Sequence, residues 1–165
     1  GPMVIAIENW RTGHIKDTFM QSTYAQNGLA LAGFIDTPSI CASSSESGLL
    51  SAANALDQNM GTRWSSNFYT PLGGNEIPPQ WLEIDLKNPT AVNQLTIYWE
   101  TAHAQSYSIQ VSDDRMRWTT MYETTSSAGG TEVLSITPVT TRYIRVYMTE
   151  RATPWGYSIY ELDVN

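Results

Sequence analysis

The sequence predicts an all-β fold, an antiparallel β-sandwich, on three observations. Short apolar runs of period two recur from Asn27 onward. Turn residues fall between them, on flanks rich in Ser and Thr. No stretch carries the sustained 3.6-residue apolar period of a long helix, and no internal repeat is visible. The 165 residues correspond to one domain, long enough to bury a core without disulfide staples.

Residues 3–26 are polar and mixed, and read as a linker or the end of a preceding module. Gly1-Pro2 before Met3 has the form of a protease-cleavage scar, so the chain is expected to be a piece of a longer protein. The module is expected over residues 27–165, with one short helical turn at Ser51 to Leu56. Trp81 to Leu86 alternates, with Ile84 and Leu86 inward and Glu83 and Asp85 outward. After a turn at Lys87-Asn88-Pro89, Gln94 to Trp99 places Leu95, Ile97 and Trp99 on one face. Tyr107, Ile109 and Val111 alternate with Ser and Gln, and the strand stops at Ser112-Asp113-Asp114-Arg115. In Arg142 to Met148, Ile144, Val146 and Met148 share a face. A last strand runs from about Ile159 to Val164.

Composition narrows the partners. Nine Lys and Arg against sixteen Asp and Glu leave a net charge of −7. A nucleic-acid binder needs a basic face to neutralise phosphates, and no basic run exists here. The same balance disfavours polyanionic glycans and anionic lipid. No run approaches the length of a membrane-spanning helix. Cys41 is the sole cysteine, which excludes an intrachain disulfide and a paired-cysteine zinc motif. Six Trp and nine Tyr against three Phe favour rings with an apolar face and a polar edge. Such rings suit sugars, which present hydroxyls and flat C–H faces, although sandwich cores use them as well.

Nothing in the chain reads as catalytic. No G-x-S-x-G elbow, P-loop or HExxH motif occurs. Sixteen acidic residues make some carboxylate pair inevitable, so a glycosidase pair is uninformative. Glu100 and His103 lie three apart after a strand; a polar loop is preferred to an acid–base pair.

Three stretches taken together carry a resemblance. The first is Ala42 to Glu46 followed by Ala52-Ala53-Asn54-Ala55-Leu56-Asp57-Gln58-Asn59-Met60-Gly61-Thr62-Arg63-Trp64-Ser65-Ser66. The second is Gln80 to Leu86, and the third is Thr141 to Tyr147 with Gly156 to Leu162. In this order and spacing the chain resembles the discoidin, or coagulation-factor C-type, superfamily. It is most similar there to the bacterial family 32 carbohydrate-binding modules. The resemblance implies a jelly-roll-like, galactose-binding-domain-like sandwich. It implies a non-catalytic module that targets a larger secreted bacterial enzyme to its polysaccharide, expected as a monomer. The alternatives are a galactoside-binding module and a protein- or lipid-adhesion discoidin domain, with a small enzyme on the same scaffold behind them.

The resemblance also implies a structural calcium at Asp57, Thr62 and Glu161, with Asn59 and nearby backbone carbonyls completing an oxygen shell. Sugar is expected in the loops at one end of the sandwich. Trp155 is the leading stacking residue, in the turn-like Thr153-Pro154-Trp155-Gly156-Tyr157, and Phe68 and Tyr69 form a second aromatic candidate. Trp64 and Trp81 are assigned to core packing. Glu46 matches a loop glutamate that some chitosan-binding relatives use, and Glu100 and His103 lie in another contributing loop. The expected ligands are chitosan-type oligosaccharides or β-glucans ahead of galactosides, because the Arg and Asn of a galactose-type set are not found beside His103.

Overall fold

The computed structural model describes residues 37–68 and 79–165. The expected linker at 1–26, the module's expected first residues and Tyr69 lie outside the described residues. Pro38–Asn165 forms one compact unit. Its elements are β1 (Ser39–Ala42), two 3-10 turns (Gly48–Leu50 and Ala52–Leu56), β2 (Trp64–Ser65), β3 (Gln80–Trp99), β4 (Ala104–Ser112), β5 (Thr119–Thr124), β6 (Thr131–Arg151) and β7 (Ser158–Val164). All pairings are antiparallel, as the alternating pattern predicts.

β3 and β6 bend and build both leaves of the sandwich. Gln80–Asp85 pairs with Tyr143–Met148, with β1 and β4 on either side and β5 beyond β4. Thr90–Tyr98 pairs with Thr131–Thr141 and with β7, which carries β2. The register breaks between Asp85 and Thr90. There Lys87 adopts φ 69° and donates its backbone N–H to Asp85 Oδ1 at 2.8 Å. The expected turn at Lys87-Asn88-Pro89 is therefore a bend within one strand, which moves β3 from one leaf to the other. A bulge of this kind carries unpaired residues without reversing the chain.

The inward faces meet in the middle. Leu82, Ile84, Ile144 and Val146 of one leaf close on Leu95 and Leu162 of the other. All six are at most 2% exposed, and each such side chain contributes about 1.5–3 kcal/mol of burial free energy. Trp64 is fully buried and its indole N–H donates to the Ser44 carbonyl at 3.0 Å.

The outer face of the first leaf departs from expectation. Glu83 and Asp85 point away from the core yet are only 6% exposed. Arg115 covers Glu83 at 2.6 Å, and Arg142 grips Asp85 through Nε and Nη2 at 3.0 and 3.1 Å. The two guanidinium groups also lie over the Tyr143 ring, at 4.4 and 4.9 Å. Trp81 likewise is not core: it is half-buried on this outer face, opposite Tyr147.

Both leaf-crossing bends lie at one end of the sandwich. The other end gathers the loops at 43–63, 66–68, 100–103, 125–130 and 152–157.

Candidate functional site

The loop end contains a cleft of about 440 Å³. Backbone hydrogen bonds lace its loops into one frame. Glu46 N–H donates to the Ser65 carbonyl at 2.9 Å, and Ser66 N–H to the Tyr157 carbonyl at 2.8 Å. Glu100 N–H donates to the Ser158 carbonyl at 3.0 Å, and Ser158 N–H to the Ala102 carbonyl at 2.7 Å. Four segments distant in sequence are thus held by sheet-like bonds rather than by side-chain contacts alone.

Glu46, Phe68, Glu100 and Trp155 all line this cleft, with Arg63, Ser65, Thr101, Ala102 and Gly156 between them. Trp155 is 60% exposed. Its indole meets Phe68 nearly perpendicularly, with ring centroids 5.8 Å apart, one of the favoured aromatic geometries. Gly156 permits the approach: a Cβ there would lie 2.5 Å from Ser66 Oγ and 3.0 Å from the Ser66 carbonyl. Arg151 steadies the same turn by donating Nη1 to the Pro154 carbonyl at 2.8 Å.

The polar groups divide by freedom. Glu100 Oε2 accepts the Ala102 N–H at 2.9 Å, which fixes its carboxylate on its own loop. Glu46 is exposed, and among the described residues its carboxylate accepts no hydrogen bond. Arg63 donates Nη1 to Ser158 Oγ at 2.7 Å, and that hydroxyl in turn donates to the Trp64 carbonyl. Arg63 was visible in the Thr62-Arg63-Trp64 motif, but its strand-edge position beside a buried Trp gave no sign that it faces a cleft. The site can offer an aromatic face, two carboxylates and one guanidinium.

His103 is not among the residues lining the cleft. Its Nδ1 lies 3.1 Å from the Thr101 carbonyl, and its ring packs on Gly129. A Cβ at residue 129 would fall 2.7 Å from that ring, and Gly129 has φ 71°, so glycine is required twice over. Glu100 and His103 each bond their own loop and do not meet as an acid–base pair. Tyr69 lies outside the described residues.

Beside the cleft, the 57–62 loop wraps against β7. The Asn59 N–H is shared between Asp57 Oδ1 at 2.9 Å and Glu161 Oε2 at 3.3 Å. Thr62 Oγ1 lies 2.7 Å from Asp57 Oδ2 and 2.8 Å from the Asn59 carbonyl. One hydroxyl proton cannot serve both oxygens. Glu161 is 4% exposed. Burial, and then the neighbouring Asp57 charge, push its carboxyl up to about 7, against three backbone N–H bonds that pull it down. Asn59 turns its side-chain Oδ1 to the Gly61 N–H at 3.0 Å. Among the described residues no three His, Cys, Asp or Glu side chains converge, so further donors here are hydroxyl, amide and carbonyl oxygens.

Comparison with known proteins agrees with this architecture. Residues 39–162 match the F5/8 type C domain. No curated protein sequence matches the chain. Chitosan-binding module 1 of a chitosanase/glucanase from Paenibacillus sp. IK-5 is 38% identical, with TM-score 0.70, over 78% of this chain and 95% of that one. Module 2 of the same enzyme, solved with chitotriose, is 34% identical, with TM-score 0.71 and the same coverage. The CBM32 of AlyQ, in complex with 4,5-unsaturated mannuronic acid, is 28% identical, with TM-score 0.64, over 79% of this chain and 95% of that one. The two-leaf antiparallel sandwich, the loop-end cleft and the match over residues 39–162 agree: the chain belongs to the F5/8 type C (discoidin) domain family, and its structural neighbours include CBM32 and related carbohydrate-binding modules.

Proposed function

We propose that this domain is a non-catalytic carbohydrate-binding module whose ligand is a chitosan-type oligosaccharide, bound in the loop-end cleft. The observation that carries the reading is the meeting of Glu46, Glu100 and the exposed Trp155 in one cleft. The indole offers a flat apolar wall for the C–H face of a sugar ring. The uncommitted Glu46 carboxylate is suited to the ammonium of glucosamine, a charge-assisted hydrogen bond. The identity to two chitosan-binding modules supports the same choice. A second reading, a uronate-bearing chain end, is favoured by Arg63 in the cleft, since a guanidinium pairs readily with a carboxylate.

A single open site of this size binds weakly, with Kd on the order of 0.01–1 mM. The module's use is then to raise the local concentration of a secreted parent enzyme near its polysaccharide, where tandem sites add avidity. Calcium is assigned a structural role at Asp57, Asn59, Thr62 and Glu161. The fit rests on the donor chemistry: hard oxygens, two carboxylates sharing one N–H, and a buried Glu161 whose charge has no cationic partner among the described residues. When bound, the ion would tie the 57–62 loop to β7.

Titration calorimetry with glucosamine oligomers and their N-acetylated counterparts tests the ligand. Glu46→Gln is expected to weaken glucosamine binding about tenfold, ~1.4 kcal/mol, and to leave the N-acetylated ligand nearly unchanged. Trp155→Ala is expected to weaken both. A wild-type preference for alginate fragments over every amino or neutral oligosaccharide would favour the Arg63 reading and sink this one.

A further inference from the structure

The outer face of β6, β4 and β5 holds a second concavity, a trough of about 250 Å³. Its shape follows from register. Trp81, Tyr147, Ser108 and Glu123 lie in one row across β3, β6, β4 and β5. Directly opposed residues share a face, so the small Ser108 leaves a gap between Tyr147 and Glu123. The floor follows β4 through Ser106, Ser108 and Gln110, with Thr124 and Thr149 at the margins. The lining is mostly hydroxyl and amide groups, with Tyr147 as an aromatic wall, the buried Tyr107 beneath, and Glu123 the one carboxylate among the described residues. Tyr147 is held in place: the Arg145 guanidinium lies 5.0 Å from its ring and 3.9 Å from that of Trp118, and Arg145 Nε donates to Gln110 Oε1 at 2.8 Å.

Two strands that line the trough lead to loops of the cleft. Ala102, in the loop before β4, lines the cleft, and Ser106, near the start of β4 and four residues on, lines the trough. β6 makes the same connection on the other side. Tyr147 and Thr149 line the trough, and Arg151 of the same strand bonds the turn that carries Trp155. A hydroxyl-rich, aromatic-walled groove whose strands lead to a sugar cleft suits a continuing polyhydroxylated chain better than a protein or lipid partner. Resting on the proposed carbohydrate reading, we propose that the β6–β4–β5 face is a second contact surface, along which a glycan chain extends from the cleft. The module would then distinguish long chains from short ones.

Affinity for the dimer and the hexamer of β-1,4-linked glucosamine, by calorimetry, tests this in wild type, Tyr147→Ala and Ser108→Trp. Ser108→Trp fills the trough without removing a side-chain hydrogen bond, and thermal melting checks that both variants fold. The wild type is expected to bind the hexamer at least about tenfold more tightly than the dimer. Ser108→Trp is expected to reduce that gain to the few-fold advantage of having more binding registers, with dimer affinity unchanged. Equal affinities in the wild type, or a full hexamer gain in a folded Ser108→Trp, would overturn the second surface alone. Binding of neither oligomer would overturn the chitosan-type reading of the cleft and this extension with it.

Discussion

Glu161 shows how a single residue ties the loop chemistry to stability. Burial and the Asp57 charge push its carboxyl up to about 7, against about 4.3 in an unfolded chain. Between those values the folded state binds the extra proton, so this contribution to stability is complete below about pH 4.3 and lost as pH rises through 7. Asp85 works in the opposite sense. The Arg142 hydrogen bond, first among its influences, holds its carboxyl below the ordinary value, so its contribution is lost only as pH falls through that lowered range. The two windows do not overlap. We predict that the chelated protein melts at progressively lower temperature from pH 5 to pH 8, that Glu161→Gln removes most of this slope, and that calcium at pH 8 raises the midpoint of the wild type by binding linkage. A midpoint that neither pH nor calcium moves would contradict the assignment of the ion to this loop.

At the scale of elements, β3 and β6 carry the fold because each serves both leaves. Leu82 of β3 is fully buried against residues of the opposite leaf. We predict that Leu82→Ala destabilises the domain by about 2–5 kcal/mol, read by denaturant unfolding; a cost under about 1 kcal/mol would mean that the leaves do not share one core. These strands also mark what the sequence disclosed. The Gln80–Leu86, Gln94–Trp99 and Tyr107–Val111 runs were legible because one face is apolar and the alternation is clean. The continuity of β3 through Lys87-Asn88-Pro89 was not, because a bulge and a turn use the same residue types. The burial of Glu83 and Asp85 was hidden for a different reason: Arg115 and Arg142, which cover them, are distant in sequence. Trp81 read as core from its motif, but its place in the alternation opposite Ile84 and Leu82 puts it on the outer face.

For the molecule as a whole, the two bends close one end of the sandwich and leave the other to the loops. That asymmetry is why Glu46, Phe68, Glu100 and Trp155, spread over more than a hundred residues of sequence, meet in one cleft. Their residue types were legible. The company of Arg63 and the packing of His103 on Gly129 were not, since both depend on contacts between segments distant in sequence. Carbohydrate is proposed to bind at this end. The most direct test is a map of backbone amide shifts in the nuclear magnetic resonance spectrum during titration with a glucosamine dimer. The largest changes are expected at Glu46, Ser65 to Phe68, Glu100 to Ala102 and Trp155 to Gly156. Changes centred on the bend end, around Ser112 to Arg117 and Val139 to Thr141, or no saturable change at millimolar ligand, would contradict it.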